Sequence, residues 1–79
     1  MINNKLVGYR NRLGLTQTEM ATKIGIGLTS YNFKEQGKKD FKQSEMEAIT
    51  TLIKQDIPDI TMDKIFFRDI VVNLKTNSI

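Results

Sequence analysis

Seventy-nine residues suffice for one compact core and not for two, and so short a chain folds with little stability to spare unless copies associate. Cysteine and histidine are absent, which removes disulfides, thiolate chemistry, the commonest metal ligand and the commonest general base, so a catalytic role finds few of the groups it needs. The net charge of +3 is uneven: residues 1–42 carry +5 and residues 43–79 carry −2, an asymmetry that suits a chain laying one face on an anionic partner. No window nears the length of an apolar membrane span, and MINNKLVGYRNR lacks the core of a signal peptide; the expected compartment is the cytoplasm, with no membrane partner.

The first helix is predicted over residues 4–13, capped by Asn3 or Asn4, carrying Leu6, Val7, Arg10 and Leu13 at helical spacing and stopped by Gly14. Thr16-Gln-Thr-Glu19 reads as a capping box, with Leu15 and Met20 spaced as a hydrophobic staple around it. Helix two then runs to about Ile24, with Met20, Ala21 and Ile24 on its buried stripe, and Gly25 supplies a left-handed terminus. Helix three begins at Gly27 and continues to about Gln36 before Gly37. A basic linker follows with Phe41 as its apolar anchor, and Ser44-x-x-Glu47 offers a second capping box for helix four, whose Met46, Ile49, Leu52 and Ile53 are expected to face inward. Asp56 to Asp59 reads as a loop, and Thr61 as the cap of a short last helix, with Ile60 and Ile65 as its staple. Five helices thus occupy residues 4–67. The remainder includes Ile70-Val-Val-Asn-Leu74, rich in β-branched residues and not at helical period, which reads as a candidate strand.

Each fixed position of Gln17-x-x-Met-Ala21-x-x-Ile-Gly25-Ile-x-x-x-x-Tyr31 has a mechanical reason. Two helices crossing steeply through a short turn need a small residue at the contact, here Ala21, and a residue tolerant of positive φ in the turn, here Gly25. Met20, Ile24, Ile26 and Tyr31 fill the wedge, which leaves the outer face of helix three free to enter a major groove. The run Gly14-Leu-Thr-Gln-Thr-Glu-Met-Ala21, then Gly25-Ile26, Tyr31-x-x-Lys-Glu35-x-Gly37 and Phe41 resembles the helix-turn-helix family of phage repressors and Cro proteins, the lambda-repressor-like group. It is especially similar to small regulators of Gram-positive phages, and the resemblance covers about residues 5–67.

That resemblance implies an all-α, five-helix lambda-repressor-like domain over residues 1–67 and a sequence-specific transcriptional regulator that binds a double-stranded DNA operator. It implies that Gln17 touches a backbone phosphate at the start of helix two, and that Arg10 and Glu35 form an internal ion pair. Base-reading positions would be Leu28, Thr29, Ser30, Asn32 and Phe33: Thr29 and Asn32 for base edges, Ser30 for a base or a phosphate, and Leu28 and Phe33 for thymine methyls, hence a site rich in A·T pairs. The two apolar residues depart from the polar or basic side chains usual in the family, and Phe33 packed inward or against a protein is the competing placement. Gly27 replaces the common serine cap, so helix three starts less firmly. Lys38, Lys39 and Lys42 form a cluster that would neutralise phosphates.

Residues 68–79 are read either as a strand paired across a two-fold axis in a homodimer or as a tail packed on its own domain. The alternative function is a helix-turn-helix domain turned to protein binding, such as an antirepressor or phage partner protein, with Leu28 and Phe33 as the contact patch. A carboxylate metal site from Asp56, Asp59 and Asp63 lacks the calcium-loop spacing and an accompanying base. No cofactor, metal, catalytic residue or small-molecule substrate is expected.

Overall fold

The computed structural model describes residues 4–67, and all regular structure among them is helical: α1, Asn4–Arg12; α2, Gln17–Ile24; α3, Leu28–Glu35; α4, Gln43–Lys54; and α5, Asp63–Phe67. The candidate strand at 70–74 lies outside the described residues, as does the rest of the tail at 68–79.

Local chemistry sets the helix ends. The Thr16 hydroxyl accepts from the Glu19 amide at 3.1 Å and the Glu19 carboxylate accepts from the Thr16 amide at 2.9 Å, so two of the donors orphaned at the start of α2 find partners. At the other end Gly25 has φ 81°, and the Ile26 amide reaches back to the Ala21 carbonyl at 3.0 Å, the six-to-one bond of a Schellman closure. The same closure ends α3, where the Lys38 amide donates to the Phe33 carbonyl at 2.8 Å across Gly37.

Two boundaries differ from the sequence-based expectation. The second capping box does not form on Ser44 and Glu47: the cap of α4 lies two residues earlier, at Lys42, and Glu45 accepts from the Lys42 amide at 2.8 Å. Glu45 wins because its carboxylate is also held by Lys34 of α3, 11 positions away in sequence, whereas Glu47 is exposed. The last helix is wound as a π-helix over Asp63–Phe67 in place of an ordinary turn; Thr61 Oγ1 accepts from the Lys64 amide at 3.2 Å at its start.

Every helix feeds one core, built from Leu6, Met20, Ala21, Tyr31, Ile49, Ile53, Ile60 and Ile65. Leu52 packs against it half-buried, while Met46 is half-buried and its carbonyl instead receives the Thr50 hydroxyl at 2.7 Å. Phe41 anchors the linker edge-on between Tyr31 and Phe66, with ring centroids at 5.9 and 5.5 Å, the offset geometry that aromatic quadrupoles favour. That sandwich ties the segment after α3 to α5 and so fixes where the basic linker leaves the core.

Candidate nucleic-acid interface

The interface is built on the α2–α3 crossing. Ala21 is 2 % exposed at the contact, and a larger side chain there would push the two helices apart. Ile24 and Ile26 pack half-buried against the core on either side of Gly25, and Tyr31 is completely buried. With Tyr31 fixing which face of α3 points inward, Thr29 and Phe33 fall on the opposite side by helical spacing, Ser30 and Asn32 on its flanks, and Leu28 stands at the exposed first residue of the helix.

Exposure grades that row. Leu28 is 45 % and Phe33 39 % exposed, Thr29 is exposed, and Ser30 and Asn32 are half-buried. Phe33 does not pack inward; the Lys38 ammonium stands 5.5 Å from its ring centre, close enough for a cation–π contact. Lys38, Lys39 and Lys42 are all exposed, so a block of positive charge adjoins the C-terminal end of the row. Gly27 precedes α3 in extended conformation with no side-chain cap.

Behind the row sits a buried polar cluster centred on Glu35, which is 3 % exposed. Its carboxylate accepts from Arg10 Nε at 2.8 Å and Nη2 at 3.3 Å, from the Tyr31 hydroxyl at 2.6 Å and from Gln17 Nε2 at 2.8 Å. Arg10 Nη1 also donates to the Leu15 carbonyl at 2.8 Å. Burial alone would push the Glu35 carboxyl up, and the bonds from Arg10, Tyr31 and Gln17 more than reverse this, holding it below the ordinary glutamate value. The Arg10 guanidinium is raised in turn, chiefly by its bond to Glu35, and burial together with the adjacent carboxylate drives the Tyr31 hydroxyl well above the usual tyrosine range. One cluster therefore joins α1, the entry to α2 and the end of α3.

Gln17, half-buried, has its amide engaged on both sides: beyond the bond to Glu35, its Oε1 accepts from Asn32 Nδ2 at 3.3 Å. Sequence reasoning treated Gln17 and Asn32 separately and missed this link. It also missed the ion pair of Lys34 with Glu45, at 2.8 and 2.9 Å and under one tenth exposed on each side, which ties the end of α3 to the start of α4. Burial works against ionisation of Glu45, and the Lys34 ammonium and the Lys42 amide overcome it, leaving this carboxyl below its usual range. No local motif announces that pair, because its partners belong to different helices. Asp56 meets Arg12 at 3.0 Å on the open surface, and among the described residues no group of three or more metal-ligating side chains is brought together. No described helix is long and apolar enough to cross a membrane.

A family model for the helix-turn-helix matches residues 8–60, well over half of the chain, from the middle of α1 through α4. No curated protein and no solved structure matches the chain. With the short α2, the glycine turn, the uncovered outer face of α3 and this match together, the chain belongs to the helix-turn-helix family of DNA-binding domains.

Proposed function

We propose that this protein is a sequence-specific transcriptional regulator of the repressor and Cro type, which sets α3 in the major groove of an operator. The observation that carries this reading is the row of exposed and half-exposed side chains on α3, backed by the hydrogen-bonded cluster on buried Glu35 and flanked by Lys38, Lys39 and Lys42. Thr29 and Ser30 offer hydroxyls to base edges or to a phosphate, while Leu28 and Phe33 suit the thymine methyl, so A·T pairs are favoured beneath the helix. Gln17 and the three lysines contact the sugar–phosphate backbone and set the register. Binding as a homodimer would place half-sites about 34 Å apart, and occupying a promoter would repress it.

Selection from random duplex DNA at two salt concentrations tests this. The expected result is an enriched pseudo-palindrome, with affinity falling steeply with salt at a log–log slope near −5 if about six phosphates are neutralised by the dimer. Leu28 and Phe33 also favour a second reading, a contact with another protein, because two large apolar side chains stand exposed on α3. An unenriched pool, with duplex affinity unchanged in a folded Thr29→Ala variant, would favour that reading over DNA recognition.

A further inference from the structure

The cluster behind α3 has a direction fixed by chemistry. Glu35 is an ionised carboxylate and can only accept hydrogen bonds, so Gln17 must turn its NH2 group toward it, as it does at 2.8 Å. This leaves Gln17 Oε1 facing α3, where only a donor fits, and Asn32 Nδ2 supplies one at 3.3 Å. Arg10 locks the far end of the line through Glu35 and the Leu15 carbonyl. The second N–H of Gln17 takes part in no hydrogen bond within the described residues. It sits at the first residue of α2, where the unsatisfied amides of a helix start already favour an anion.

Asn32 spends its short side chain on this span. It is half-buried, whereas Leu28, Thr29 and Phe33 around it are exposed. We propose that Asn32 is a positioning residue: it acts on DNA through Gln17, by holding that amide so that its remaining N–H meets a phosphate oxygen, and not through a base edge. The assignment rests on the DNA-binding reading above. It makes the grip on the backbone depend on the rotational setting of α3, because the residue that orients the phosphate contact is carried by the reading helix itself. An α3 seated out of register would therefore lose the phosphate contact as well as its base contacts.

The test measures dissociation constants of the full chain and of Asn32→Ala, Asn32→Gln, Gln17→Ala, the Asn32→Ala/Gln17→Ala pair and Thr29→Ala. Each is titrated with the selected duplex and with its single-base-pair variants, with circular dichroism to verify folding. Asn32→Ala is expected to weaken every duplex by the same factor, about tenfold for one lost hydrogen-bonded constraint, leaving the order of preference intact. Asn32→Gln, which keeps a donor, should recover most of that loss. The paired variant should be no more than about twofold weaker than Gln17→Ala alone, since coupled residues do not add, whereas Thr29→Ala should change the preference at one position. Flattened preference at a single base pair in Asn32→Ala, or losses that multiply in the pair, would overturn the assignment while the DNA-binding reading stands. Failure of the unaltered chain to bind any duplex at low salt would overturn both.

Discussion

Replacing Arg10 by methionine isolates the cost of the buried cluster, because the aliphatic stem is kept and only the charge and its donors are lost. Glu35, with 4 % of its side chain exposed, would keep Tyr31 and Gln17 as donors but lose its cation and two of its four hydrogen bonds. An uncompensated carboxylate at such depth costs about 3 kcal/mol, against a total stability of roughly 4–12 kcal/mol for a chain of this length. The melting point should fall by roughly 15 °C, as read by ellipticity at 222 nm, and urea titration should give the free energy directly. The pH dependence separates this cause from lost packing. In the unaltered chain the Glu35 pKa is depressed in the folded state, so its stabilisation is fully present above the unfolded value of 4.5 and is lost as pH falls below it. In Arg10→Met, burial opposed only by the bonds from Tyr31 and Gln17 should lift the folded pKa above the unfolded one, which destabilises at neutral pH and is relieved as pH falls through the raised value. The gap between the two proteins should therefore narrow steadily from pH 7 towards pH 4. Adding Glu35→Gln to the variant, which removes the stranded charge, should restore about half of the loss. A deficit below about 1 kcal/mol, or one independent of pH, would refute the claim that Glu35 is held ionised by Arg10.

Three further outcomes follow from the backbone and the exposed face. Gly27→Ser should stabilise the fold by about 0.5 kcal/mol, seen as a higher urea midpoint, because Gly27 already has the extended geometry of a cap and nothing lies within 4 Å of an added Cβ; a lower midpoint would contradict it. The same glycine-to-alanine change should have opposite signs at two sites. Gly8→Ala, in the exposed middle of α1, should gain about 0.8 kcal/mol, while Gly25→Ala, forced to φ 81°, should lose about 1 kcal/mol or more, both by denaturant titration. Replacing thymine by uracil beneath α3 should weaken binding about fourfold for each methyl lost, from roughly 0.8 kcal/mol per buried carbon. That sensitivity should disappear in Leu28→Ala or Phe33→Ala, and uracil tolerance in the unaltered chain would argue against apolar readout.

Much of the fold was legible because its signals are local. Thr16 with Glu19, and Gly25, Gly37 and Thr61, each act within a few residues of themselves, so the termini of α2, α3 and α5 could be placed by reading along the chain. Helical spacing within single segments, as in Met20 with Ala21 and Ile24 on α2 or Ile49 with Leu52 and Ile53 on α4, identifies the inward faces for the same reason. Where a long-range partner competes with a local one, reading along the chain fails. Glu45 displaced Glu47 as the capping carboxylate only because Lys34 arrives beside it when α3 packs near α4.

The sequence by itself determined how many helices form, where most of them stop, and that Ala21 and Gly25 let two of them cross tightly, since backbone geometry and residue size are properties carried by each position. Beyond the Arg10–Glu35 pair, which the family resemblance implied, the tertiary structure alone decided how the polar groups share their hydrogen bonds. Gln17 lies 18 positions from Glu35 and 15 from Asn32, and Lys34 lies 11 from Glu45. Separations of that kind carry no periodic signal, and a buried carboxylate takes whichever donors the packed helices bring within about 3 Å.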